Sequence, residues 1–465
     1  MWWLNPFALQ PDAAKLLAVA ALMITLWVTE VLPMAVVALL PLVLFPLLNI
    51  ATIAETAEPY SNPVIFLFMG GFLIGLAIEK WGLHKRIALN IVNITGTSGN
   101  RIILGFILAT GFLSMWLSNT ATTMMMYPIA MSVISVMEEK HRGKGNIHYM
   151  AICILLSIAY ASNMGGIATI IGTPPNVAFV AFLEKKYAYN FAFSDWMMLC
   201  LPLSLMLMLA LYFAMTRWLY PNELPENGHT SSLLRDSLTE MGPISKPEQR
   251  VLVIFTLTAV LWIAKDLINA GQNWVVLNDT IIALLGSILL FCVPSNSKED
   301  SHSPLLRWED TRKMAWGVLL LFGGGISLAT QLEKAGLIQQ LGNFVAEYAG
   351  SNMLLLILTI TLVSIFISEV MSNVAQVIVF APVTAGIADA ININPLLLGV
   401  PMTLAASCAA MLPMGTPPNA IVFASGRLKL SDMVRTGFII NVISTILITL
   451  FCFYLLPLLV TNFKF

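Results

Sequence analysis

Residues 114–123 read SMWLSNTATT, and 254 positions later residues 368–377 read SEVMSNVAQV. Each stretch carries a polar triplet, Ser118-Asn119-Thr120 or Ser372-Asn373-Val374, inside a long apolar run. Each is followed downstream by the same five residues, GTPPN, at 172–176 and at 415–419. Upstream, FMGGFLIGLAIEKWGL from Phe68 matches FGGGISLATQLEKAGL from Phe322, and the distance from that phenylalanine to the triplet serine is 50 residues in both halves. Two motifs recurring in the same order, one at unchanged spacing, indicate an internal duplication. Such duplication of apolar segments is the sequence mark of a transporter fold.

Composition sets the environment. The chain has 465 residues, 58% hydrophobic and 11% charged, with mean hydropathy +0.83. A soluble domain carries roughly 25% charged residues. The apolar runs are continuous rather than alternating, which excludes a β-barrel. The chain reads as an all-α polytopic membrane protein, in contact with the lipid bilayer. A net charge of −1 provides no basic tail for nucleic acid. The five cysteines lie scattered in apolar runs without metal-ligand spacing. The start, WWLNPFALQPD, lacks a basic region before its first apolar run and does not resemble a cleaved signal.

Apolar lengths give the organisation. The first repeat covers 1–216, with spans within 13–80, a hairpin at 102–137, a broken helix at 149–183 and a span at 196–216. A polar cytoplasmic linker follows at 217–250. The second repeat covers 251–465, with spans within 251–333, a hairpin at 353–388, a broken helix at 396–426 and a span at 434–460. If each triplet tips a hairpin that enters and leaves on one side, each half crosses five times. An odd number inverts the second half, giving an inverted-repeat transporter with about ten crossings, two re-entrant hairpins and two broken helices. With both termini outside, the cytoplasmic loops hold 18 of the 24 Lys and Arg. Only Lys15, Lys185, Lys186, Lys265, Lys334 and Lys464 stay outside. The positive-inside rule favours this arrangement.

The motifs suit a buried site for an anion and its counter-ions. Paired prolines remove backbone donors and stop a helix, so each GTPPN unwinds one mid-membrane. Freed carbonyls and hydroxyls suit a hard cation, and N–H ends of half-helices suit a carboxylate. Asn offers an acceptor and two donors, and so serves either. No Lys or Arg lies in the four segments, so an anion there needs dipoles and co-bound cations. Ser114 and Ser368 precede the triplet serines by four residues, on the same helical face; each is either a cation ligand or a hydroxyl bonding its own helix.

These residues resemble the divalent anion/sodium symporter family, including bacterial di- and tricarboxylate carriers, over about residues 64 to 426. The resemblance implies a scaffold domain plus an elevator-type transport domain, a homodimer, and a multi-pass place in the bacterial inner (plasma) membrane. It implies Na+ as coupling ion, with a first site at Ser114, Ser118, Asn119 and Gly172 and a second at Ser368, Ser372, Asn373 and Gly415. It implies substrate contacts at Asn119, Thr120, Thr173, Asn373, Val374 and Pro417. Val374 departs from the threonine usual in carboxylate carriers, and the chain begins one span later than members with eleven crossings.

The expected function is secondary-active sodium-coupled symport of divalent anions, foremost C4-dicarboxylates such as succinate, malate and fumarate. A dicarboxylate exchanger, a sulfate or tricarboxylate carrier of the same fold, and a passive anion channel are the alternatives. No Walker, GxSxG or HExxH motif suggests an enzyme. Glu369, three residues before the second triplet serine, is either functional or a structural hydrogen-bonding group at the hairpin tip. Its first-half counterpart is Met115. Glu79-Lys80 and Glu333-Lys334 read as snorkelling pairs at span ends.

Overall fold

A computed structural model describes residues 10–29, 31–96, 98–140, 147–189, 191–221, 236–272, 274–297, 302–349 and 352–460. The first nine residues and linker residues 222–235 therefore lie outside the described residues, as does Lys464.

The first half contains α1 (Pro11–Thr29), α2 (Met34–Val37), α3 (Leu40–Leu47), α4 (Ile53–Ala57), α5 (Pro63–Lys80), α6 (Leu83–Thr95), α7 (Gly99–Ser114), α8 (Asn119–Lys140), α9 (Ile147–Gly166), α10 (Pro174–Tyr187) and α11 (Phe193–Phe213). The second contains α12 (Lys246–Gly271), α13 (Asp279–Cys292), α14 (Trp316–Lys334), α15 (Leu337–Ala349), α16 (Met353–Ser368), α17 (Asn373–Ala390), α18 (Leu396–Ala406), α19 (Pro417–Phe423), α20 (Leu430–Tyr454) and α21 (Leu456–Leu459). Eight of these helices are long and apolar enough to cross a membrane unaided.

Three features differ from the expected spans. Within the spans expected in 13–80, the apolar run 34–50 is split into α2 and α3, because Pro41 has no N–H to continue a helix begun at Met34. α12 begins at Lys246, inside the expected linker, where Ser245 accepts from the Glu248 N–H. α6 and α15 were not expected. Each follows a left-handed glycine, Gly82 at φ 72° and Gly336 at φ 71°, which turns the chain out of α5 or α14. α6 buries Leu83, Ala88, Leu89 and Val92 and exposes Lys85, Asn90 and Asn93. This one-sided pattern suits an interfacial helix, and it holds no span-length apolar run.

Both triplets tip hairpins. In the first, α7 runs alongside α9 in the same direction: Gly165 abuts Gly111 so closely that an added Cβ would lie 2.5 Å from the Gly111 Cα. Small residues permit such a crossing. α8 leads back to the end where α9 begins, so both open ends of the hairpin share one membrane side. In the second, Ser364 Oγ donates to the Met402 carbonyl and Ser368 Oγ to the Ala406 carbonyl, so α16 parallels α18. α17 folds back along α16. The first hairpin opens where Glu138 pairs with Arg427; the second opens where Lys186 meets Asp389 at 2.8 Å. The α9–α10 crossing separates those two points, so the hairpins enter from opposite sides.

Ionic contacts sort the same way. On the side where α5 ends, Lys80 pairs with Asp310 at 2.7 Å, and Arg86 with Glu248 at 2.9 Å. On the opposite side, where α10 ends, Lys186 pairs with Glu333 at 3.1 Å, Lys334 with Glu55 at 3.6 Å, and Lys185 with Glu58. Among the described residues no ion pair joins the two sets. The lysines at 80 and 334 thus bind partners on other elements rather than neighbouring glutamates.

Candidate functional site

The two hairpin tips and the two helix breaks meet at one cavity of about 1330 Å³. Asn119, Thr120, Thr173, Asn373, Val374 and Pro417, all expected to face substrate, line it. Ser118, Ser372 and Gly415, expected as cation ligands, line it too. Ser114, Ser368 and Gly172 lie buried behind it. The cavity extends to Lys85 and Lys313, at the side where α5 ends.

Helix polarity divides the site. α8, α10 and α17 begin at the cavity wall, and so does the short α19. The first N–H groups of α8 and α17 carry partial positive charge, whereas α10 and α19 open on Pro-Pro, which has no N–H, and contribute only the positive end of the helix dipole. α7, α9, α16 and α18 end nearby and present carbonyls. An anion is therefore favoured in the cavity and a cation behind each tip.

In the first half the oxygens converge. Ser114 Oγ donates to Asn119 Oδ1 at 2.7 Å. A Cβ added at Gly166 would lie 2.3 Å from Asn119 Oδ1 and 3.2 Å from the Gly172 carbonyl. One added at Gly172 would lie 2.4 Å from the Gly166 carbonyl and 2.9 Å from that of Ser114. The space that two missing side chains leave is thus walled by four oxygens, a donor set suited to a small hard cation. Ser118 Oγ caps the Ala121 N–H at 3.2 Å. The break at 167–173 is held by neutral groups. Thr169 Oγ1 donates to the Met115 carbonyl and accepts from the Gly172 N–H at 3.1 Å. Asn176 Nδ2 reaches the Gly166, Ile167 and Thr169 carbonyls.

In the second half Ser368 Oγ again lies 2.7 Å from the triplet asparagine's Oδ1, its single proton shared between Asn373 Oδ1 and the Ala406 carbonyl. The break at 407–416 is three residues longer and is held by a charge. Glu369, 4% exposed, accepts from the Ala410, Met411 and Leu412 N–H groups at 2.9, 2.8 and 2.9 Å and from Asn441 Nδ2 at 2.7 Å. Asn419 Nδ2 donates to the Ala409 and Leu412 carbonyls, as Asn176 does in its own break. In both GTPPN copies the asparagine Oδ1 is buried without a hydrogen-bond partner among the described residues.

Several residues escaped the sequence reading. Thr416 lines the cavity and accepts from Asn163 Nδ2 at 3.1 Å and from the Asn419 N–H at 3.4 Å. Both bonds use its lone pairs, leaving its proton for a ligand. Its equivalence to Thr173 within GTPPN could have revealed it. Asn163 lines the cavity and accepts from Asn119 Nδ2 at 3.3 Å. Its signal was a third Ser-Asn pair, Ser162-Asn163, in an apolar run. The role of Glu369 resolves to backbone support, and Asn441 had no sequence signal.

The family model described as the sodium:sulfate symporter transmembrane region matches residues 2–461. A Staphylococcus saprophyticus protein named sodium-dependent dicarboxylate transporter SdcS is 37% identical over 459 residues, covering 97% of this chain and 88% of that one. Its Staphylococcus aureus namesake is 37% identical over 460 residues, covering 98% and 88%. Among solved structures, the Alcanivorax borkumensis YdaH transporter aligns with TM-score 0.62 at 13% identity, over 97% of this chain and all of that one. Neisseria gonorrhoeae MtrF aligns with TM-score 0.59 at 12% identity, over 88% and 84%. These two share the fold. The whole-length family match, the paired tips and the two broken helices agree: the chain belongs to the sodium:sulfate symporter family.

Proposed function

We propose that this chain is a secondary-active symporter that couples Na+ to the uptake of C4-dicarboxylates such as succinate, malate and fumarate. The observation that carries the proposal is the single cavity lined by both triplets and both GTPPN motifs, with helix N-termini facing it and carbonyl ends behind. Dicarboxylate relatives at 37% identity support the substrate class. Cations would sit at Ser114, Ser118, Asn119 and Gly172, and at Ser368, Ser372, Asn373 and Gly415. The anion would contact Asn119, Thr120, Thr173, Asn373, Val374, Thr416 and Pro417. With no Lys or Arg in the four motif segments, co-bound sodium supplies the missing positive charge, so each ligand strengthens the other's binding. α6 and α15 would join a fixed scaffold to a sliding transport domain in each subunit of a homodimer in the bacterial plasma membrane.

Succinate uptake into proteoliposomes under an inward sodium gradient tests this reading. Concentrative uptake that disappears when choline replaces sodium is expected. Uptake indifferent to that replacement sinks the symport reading, and transport seen only in dicarboxylate-preloaded vesicles would identify an exchanger.

A further inference from the structure

One face of α9 reaches across the repeat boundary. Tyr160 and Asn163 are three residues apart and share that face. Tyr160 OH donates to the Ala410 carbonyl at 2.9 Å, and Asn163 Nδ2 donates to Thr416 Oγ1 at 3.1 Å. Both acceptors belong to the second break. On its other side Asn163 Oδ1 accepts from Asn119 Nδ2, whose own Oδ1 faces Ser114 and the oxygen-walled space of the first half. A continuous chain of side chains therefore runs from Ser114 through Asn119 and Asn163 to Thr416. It starts behind the first tip and ends on the cavity wall of the second half.

The chain has one polarity. Asn119 Oδ1 is committed to the Ser114 hydroxyl, so its NH₂ must donate, and Asn163 must present its oxygen. Asn163 then has only its NH₂ for Thr416. Flipping one amide alone sets two donors or two acceptors face to face; the two must turn together, since the Ser114 and Thr416 hydroxyls can donate or accept, and a cation held by Asn119 Oδ1 selects the polarity seen. A cation that draws Asn119 Oδ1 toward itself thus orders Asn163 and fixes Thr416 as a donor toward the cavity. The second half has no reciprocal arm. Aligned on GTPPN, the counterpart of Asn163 is Ala406; of the polar residues near it, Thr403 bonds the Gly399 carbonyl of its own helix and the Ser407 hydroxyl has no hydrogen-bond partner among the described residues.

We propose that Asn163 is a positioning residue that couples cation binding at the first tip to anion binding at the second break. This rests on the sodium-coupled reading above. Coupling between two ligands is reciprocal and typically amounts to roughly 5–150-fold in affinity.

The test measures the succinate dissociation constant of the purified full-length protein in detergent, with sodium and with choline, and the sodium dissociation constant with and without succinate. In the unaltered protein sodium should tighten succinate binding; if it does not, the symport reading fails and the inference falls with it. Given that control, Asn163→Ala should shrink both ratios toward 1. Asn163→Asp, which keeps the acceptor for Asn119 but cannot donate to Thr416, should shrink them similarly. A merely structural role would weaken one or both affinities while leaving the ratios unchanged, and that result overturns the inference. Should both variants fail to fold, Thr416→Val removes the far acceptor at nearly constant volume and must itself lower the ratio; an unchanged ratio there is equally decisive against it.

Discussion

The two breaks solve one problem with different chemistry. Unwound backbone at membrane depth must find partners inside the protein. The break at 167–173 is short, and the Thr169 hydroxyl with the Asn176 amide satisfies it. The break at 407–416 exposes three consecutive N–H groups, and a buried carboxylate collects them. Glu369 shows no ion-pair partner among the described residues; Asn441 and the backbone N–H groups carry its charge. The asymmetry teaches that an inverted repeat conserves the line of its chain more strictly than the groups that hold it.

The largest expected effect tests what the halves share. Asn119→Ala or Asn373→Ala should each cut uptake by about 100-fold or more, since each amide faces the cavity and accepts from a buried serine. Gel filtration should still show folded protein. Near-normal uptake in both variants rejects the site.

The next effect probes what they do not share. Glu369→Ala takes the acceptor from the part-buried Met411 and Leu412 N–H groups, at about 1–3 kcal/mol each, while the Ala410 N–H keeps Asn441 Oδ1, so the unfolding midpoint should fall steeply. Thr169→Val orphans one N–H, at about 1–2 kcal/mol by the same reasoning. Equal losses for the two variants would erase the contrast drawn here.

The smallest effect concerns the tips. Thr120 and Val374 are equivalent positions on the cavity wall, and only one carries a hydroxyl. Val374→Thr should change the relative affinities for succinate, malate, citrate, α-ketoglutarate and sulfate by a few-fold, consistent with the roughly 1 kcal/mol worth of one neutral hydrogen bond. An unchanged order and spacing would mean that residue 374 does not read the anion.

Much of the architecture was legible because it depends on repetition and length. The triplets, the GTPPN breaks and the inversion implied by five crossings all survive in the structure. α6 and α15 were missed because an interfacial helix lacks the continuous apolar run that marks a span. Asn163 was missed because an isolated amide in an apolar run announces neither its partner nor its direction.

The amino-acid order alone determined the class, the duplication, the opposed hairpins and most residues of the central site. These follow from local rules: apolar length, proline geometry and the sign of loop charge. Only the tertiary structure decided that the cavity opens toward Lys85 and Lys313, that Glu369 braces the second break and that Asn163 joins the halves. Each depends on which helix face packs against which across hundreds of residues, and no local pattern records that.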